Sequence, residues 1–129
     1  MALRIVRLGS ARQRGEGLRI GTARRPPRGV RKSDYAKRNF YDVWLPELAP
    51  SQKLVGWALG KPWTDARWRQ FARSYRREMR EPSAARLLEL IAALSRGANL
   101  SVGCYCEDEN RCHRSLLREL LREHGAKLA

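Results

Sequence analysis

All three cysteines and one of the two histidines of this 129-residue chain fall in one stretch, Cys104-Tyr105-Cys106-Glu107-Asp108-Glu109-Asn110-Arg111-Cys112-His113-Arg114-Ser115. The run Leu100 to Cys106 reads as a strand, and an amphipathic helix with Leu116, Leu117, Leu120 and Leu121 begins near Cys112. These side chains therefore meet at a strand-to-helix turn, where backbone amides and the helix dipole lower a thiol pKa or hold an anion. Arg111, His113 and Arg114 surround Cys112 with positive charge, which makes it the first candidate nucleophile and Cys106 the second. Glu107, Asp108 and Glu109 act the other way, since carboxylates raise a nearby thiol and repel an anion. His113 is a candidate general base or a helix cap, and Ser115 offers a hydroxyl or caps in turn.

Simpler readings compete. Free cysteines often just pack, two in the sheet and one at the helix corner. Structural zinc sites draw paired ligands from two knuckles, and the adjacent Cys112-His113 can hardly close on one ion, so the spacing assigns no metal. A Cys106 to Cys112 disulfide fits the reach, but the redox Cys-x-x-Cys spacing is absent. Phosphatase and sulfurtransferase loops share the order cysteine, turn, arginine with Cys106 and Arg111. They need small residues, however, where this chain has Glu-Asp-Glu-Asn.

The net charge of +14 is lopsided: residues 1–40 carry twelve Lys or Arg against Glu16 and Asp34. A basic segment of this kind attracts nucleic acid, nucleotides or anionic surfaces. The plainer reading is a solvated face in an arginine-rich chain, 22 of whose 27 basic residues are Arg. The start is too charged for a secretory signal and no run of about 18 apolar residues occurs, so a soluble, cytoplasmic protein with reduced thiols and no membrane partner is expected.

Several elements must position the turn. Leu3 to Leu8 and Leu18 to Ala23 suit short strands, and Phe40 to Leu45, bounded by Pro46, a third. Between them Arg24-Arg25-Pro26-Pro27-Arg28-Gly29 is a basic loop, because two prolines deny it backbone donors. Ser51 caps a helix with Leu54, Val55, Ala58 and Leu59 on one face. Thr64 caps another in which Trp68, Phe71, Ala72, Tyr75 and Met79 recur at helical steps. Pro82 opens a third, burying Leu87, Leu88, Ile91, Ala92 and Leu94 up to Gly97. The four tryptophans at 44, 57, 63 and 68 read mainly as core, with Trp63 the one expected to be exposed. The pattern implies a single α/β domain over residues 1–129, of three layers, with a small, mainly parallel sheet flanked by helices. Ligands in such sheets sit outside the carboxyl ends of the strands, where Cys106 to Ser115 would lie.

Four segments taken together resemble the DUF488 family: Arg25-Pro26-Pro27-Arg28-Gly29-Val30; Trp44-Leu45-Pro46-Glu47-Leu48-Ala49-Pro50-Ser51; Trp68-x-x-Phe71-x-x-x-Tyr75 with Glu78; and Cys104-x-Cys106 followed by Cys112-His113-Arg114-Ser115-Leu116-Leu117. The resemblance covers nearly the whole chain and implies a compact α/β domain without assigning an activity. Where many relatives carry Asp-Arg-x-Trp-Pro-Arg-Gly, this chain matches Arg24, Arg28 and Gly29 but has Ala23 and Pro26 in place of the acid and the tryptophan.

The expectation is a pocket between the Arg24 to Arg31 loop and the Cys106 to Ser115 turn. It would take a phosphate-bearing ligand, a nucleotide or nucleic-acid end, on Arg24, Arg28, Arg111, Arg114 and Ser115, with Cys112, His113 or Cys106 doing any chemistry. Two alternatives remain: a non-catalytic nucleic-acid-binding module built on the basic first 40 residues, and a homodimeric interaction protein with inert thiols. The sequence does not name a cofactor.

Overall fold

Alternation puts Leu3 and Ile5 of Leu3–Arg7 on the same face as Leu100 and Val102 of Leu100–Cys104, with Ser101 and Gly103 on the other, and the two runs pair side by side. The computed structural model describes all residues, Met1–Ala129. Its strands are β1 (Leu3–Arg7), β2 (Leu18–Gly21), β3 (Val43–Trp44) and β4 (Leu100–Cys104), in the spatial order β1-β4-β2-β3, every pair parallel. The register aligns Leu3, Leu100 and Leu18 in one row and Ile5, Val102 and Ile20 in the next on the same face. Because all four strands run the same way, their carboxyl ends share one edge of the sheet.

The helices are α1 (Gln52–Leu59), α2 (Asp65–Glu78), α3 (Pro82–Ser95) and α4 (His113–Glu123). Ser51 Oγ accepts from the Leu54 amide at 3.2 Å and Thr64 Oγ1 from the Arg67 amide at 3.1 Å, so both expected caps satisfy donors that the first helical turn leaves open. Pro82 stands in the first turn of α3, where its missing N–H costs nothing. The apolar sheet face, with Leu3, Ile20, Leu100 and Val102, joins Leu54, Phe71, Tyr75, Leu88, Ile91 and Leu117 from the four helices in one core. The opposite face is covered by the segments between β1 and β2 and between β2 and β3, the latter with a 3-10 turn at Lys32–Asp34. The four helices thus pack on one face of the sheet, and loops cover the other. No helix is long and apolar enough to cross a membrane.

Four local expectations need correction. The third strand shrinks to Val43–Trp44, because Tyr41 turns onto the covered face and lies where a Cβ on Gly21 would sit, 2.4 Å from its ring. On α1 only Leu54 is buried and Leu59 is 82% exposed; with Val55 it faces an open cleft instead of the core. Leu94 on α3 is likewise exposed, and Ala84 and Ser95 complete the inner face. Trp63 is half-buried, edge-on to Trp68 and Phe71 at 5.4 Å between centroids, whereas Trp44 on the edge strand is the exposed tryptophan.

Part of the basic N-terminal segment is consumed by the fold. Arg19 is fully buried on the polar sheet face. It donates from Nε and Nη2 to the two carboxylate oxygens of Glu16 at 2.8 and 3.0 Å, and from Nη1 to the carbonyls of Ser10 and Asn39. Arg12 makes a two-pronged pair with Asp42. The count of positive charges therefore overstates what that segment offers a partner.

Candidate functional site: a thiol-floored cleft at the strand ends

Two loops leave the carboxyl edge of the sheet next to each other, since β2 and β4 are neighbours: residues 22–31 after β2 and 105–112 after β4. With α1 they enclose a cleft of about 920 Å³ whose lining includes Arg25, Arg28, Cys106, Arg111, Cys112 and His113. The proline-flanked arginines and the cysteine–histidine turn thus face one another across one concavity. The rest of the lining is largely apolar, including Phe40, Val55, Ala58, Trp63 and Phe71.

The three sulfurs form the floor. β4 ends at Cys104, two residues short of the strand expected to reach Cys106; a bend at Tyr105 leaves the Cys106 sulfur near that of Cys104, and the 3-10 turn Glu109–Arg111 returns the chain so that Cys112, at the N-cap of α4, joins them. All three Sγ atoms lie within 4.8 Å of one another, with Cys104 and Cys106 at 4.0 Å. Cys104 and Cys112 are buried; Cys106 is exposed. The cluster favours holding negative charge on the outer sulfur. Hydrogen bonds from Cys104 and then Cys112 bring the Cys106 thiol well down, burial opposing and the Arg114 charge assisting. Cys112 is also lowered, chiefly by Cys104 and further by His113, while Cys104, which donates to both, is pushed up.

His113 is held by a residue that the sequence did not single out. Its Nε2 lies 3.0 Å from the Thr22 carbonyl and 3.2 Å from Thr22 Oγ1, and that hydroxyl donates onward to the Gly103 carbonyl at 2.9 Å. A carbonyl can only accept, so Nε2 carries a hydrogen, while Nδ1 faces Cys112 Sγ at 3.7 Å. The imidazole is buried against Tyr75 and does not cap α4. Thr22 sits at the end of a strand among apolar residues, where nothing in the linear pattern marks a threonine as a histidine's partner.

The arginines divide into two groups. Arg25 and Arg28 line the cleft and are exposed. Arg111 lines it while donating to Asp65 at 3.1 Å and lying over the Trp68 ring. Of the other expected phosphate ligands, Arg24 also lines the cleft, and Arg24, Arg114 and Ser115 are all engaged with backbone carbonyls. Arg24 donates to the carbonyls of Pro46, Ala49 and Pro50. Arg114, 4% exposed, donates to the Cys106 carbonyl and fixes the turn, and Ser115 Oγ donates to the Cys112 carbonyl at 3.1 Å. Two other side chains grip the same segment as Arg24: Tyr75 donates its hydroxyl to the Leu48 carbonyl at 2.7 Å, and Glu78 accepts from the amide and hydroxyl of Ser51. Arg24, Tyr75 and Glu78 together clamp residues 46–51, the platform from which α1 springs as the far wall of the cleft.

A family model described as the active DUF488-N3 subclade matches residues 3–125. No curated protein and no solved structure matches the chain.

Proposed function

We propose that this chain, which belongs to the DUF488 family, binds a phosphate-bearing ligand, a nucleotide or a nucleic-acid end, in the cleft at the carboxyl edge of its sheet. The observation that carries this reading is that Arg25, Arg28 and Arg111 share one concavity with the cysteine–histidine turn and an aromatic wall. Guanidinium groups recognise phosphate by paired, charge-assisted hydrogen bonds. Trp63 and Phe40, both half-buried, offer apolar ring surface to a base. Arg25 and Arg28 take no part in any ion pair of the fold, so a phosphate meets them without displacing a carboxylate. The Arg111 pair with Asp65 is solvent-exposed and of the kind worth about 1 kcal/mol or less, so it can be exchanged. Arg24, also in the cleft lining, and Arg114 and Ser115, outside it, are engaged with backbone carbonyls and shape the site. A bound molecule would look down on Cys106 rather than on the buried Cys112, so the exposed sulfur is the one placed to meet it.

The test is calorimetric titration with a nucleoside monophosphate, its parent nucleoside, and a short 5′-phosphorylated oligonucleotide. The reading expects binding that needs the phosphate, weakens with added salt and is lost in the Arg25→Glu/Arg28→Glu variant. Equal binding of nucleoside and nucleotide, or undiminished binding by the doubly reversed variant, would reject it.

A further inference from the structure

We propose that Cys104, Cys106 and Cys112 form a metal site that takes one zinc(II) ion, with its fourth position open to the cleft. Thiolate sulfurs sit about 2.3 Å from zinc, so three of them round one ion lie about 3.8 to 4.0 Å apart. The spacing here, 4.0 Å for Cys104 to Cys106 with every pair inside 4.8 Å, is that of a site needing only small rotamer adjustments to close on an ion. Linear spacing argued against zinc because Cys112 and His113 are adjacent and no second knuckle exists. The fold removes the objection: the end of β4 and the bend after it bring the Cys104 and Cys106 sulfurs together, the 3-10 turn returns the third, and His113 is committed through Nε2 to Thr22, leaving the thiols to serve alone.

Charge and access fit the same assignment. Binding releases the thiol protons to solvent, leaving a centre with one net negative charge. The buried Arg114 guanidinium, anchored on the Cys106 carbonyl, lies beside that charge. Two ligands are buried on the strand and helix while Cys106 faces the cleft, so the open coordination position faces outward, the arrangement of a zinc ion that takes water or a ligand group as its fourth partner.

This assignment goes beyond the ligand reading above and is tested without any phosphate compound, so either can fail alone. Reduced, metal-free full-length protein is titrated first with cobalt(II), then with zinc(II) in competition with a chromophoric chelator. One equivalent of cobalt should bind, with a thiolate-to-metal charge-transfer band and the intense visible bands of tetrahedral coordination, and zinc should displace it. Cys106→Ser, at an exposed position that does not threaten the fold, should weaken zinc by about 100-fold or more. Absence of the charge-transfer band, or a Cys106→Ser variant binding zinc as tightly as the parent protein, would overturn the assignment.

Discussion

Glu16 and Arg19 give the sharpest energetic prediction. Glu16 is 2% exposed, and its carboxylate accepts from Arg19 Nε and Nη2, from Ser101 Oγ at 2.8 Å and from the Gln13 amide at 3.2 Å. Burial by itself would raise the carboxyl. The hydrogen bonds from Arg19, Ser101 and Gln13, with the Arg19 charge, outweigh it and bring the group from an ordinary 4.5 down to about 2. At about 1.4 kcal/mol per pH unit, that shift corresponds to about 3 kcal/mol of stability. The folded state holds the proton less tightly than the unfolded state, so this contribution is complete above about 4.5 and is lost as pH falls from there through about 2. A second route gives a similar size: removing one partner of a buried pair leaves an uncompensated charge and costs about 3 to 5 kcal/mol. Urea unfolding followed by far-ultraviolet circular dichroism should therefore find Glu16→Gln less stable by about 3 kcal/mol at neutral pH. The gap should close as the pH approaches about 2, because a protonated Glu16 and the glutamine that replaces it are then electrically alike. Glu16→Leu combined with Arg19→Met, which removes both charges, should recover most of the loss. A Glu16→Gln deficit below about 1 kcal/mol, or one that does not change across the acid range, would refute the reasoning.

Further outcomes follow from the geometry. Thr22→Val strips the Gly103 carbonyl and His113 Nε2 of a hydroxyl partner in a fully buried position, and should cost about 1 to 3 kcal/mol by chemical denaturation, with Thr22→Ser close to the parent. Nitrogen-15 spectra should show the His113 hydrogen on Nε2, and a population dominated by the other neutral tautomer would contradict the arrangement at Thr22. Gly103 lies at the centre of the sheet with 2.4 Å between a hypothetical Cβ and the Val6 carbonyl, so Gly103→Ala should lower stability by about 3 kcal/mol or more. Gly56→Ala, in α1 with open space around it, should raise stability by about 0.5 to 1 kcal/mol. In the metal-free protein iodoacetamide should label Cys106 first, read by peptide mass spectrometry; preferential labelling of Cys112 would show that the turn is open where the structure buries it.

The family motifs acquire distinct physical meanings here. Arg24, Tyr75 and Glu78 lie far from residues 46–51 in sequence, yet all three act on that segment, so their part is to set the cleft wall. Cys112, His113, Arg114 and Ser115 are consecutive, yet they point to four different partners: the other sulfurs, Thr22, the Cys106 carbonyl and the helix's own first turn. The Ala23 and Pro26 departures fall beside the cleft rather than in the clamp, both lining it.

Local grammar is legible in the chain alone: Ser51, Thr64 and Pro82 as helix starts, the alternation of β1 and β4, and a strand-to-helix turn dense in thiols and positive charge. These are readable because caps and periodicities are interactions between residues a few positions apart. Which distant segments meet is a property of the folded molecule. The order β1-β4-β2-β3 places β2 against β4 and so brings Thr22 under His113, 91 residues away, and the arginine loop beside the sulfurs. The same order selects which arginines stay available. Arg19 and Arg24 look like Arg25 and Arg28 in the sequence, but the first two meet acceptors contributed by other segments and the latter two do not. Periodicity tells a side chain which face it occupies; the identity of the neighbour on that face depends on chain crossings that no local window contains.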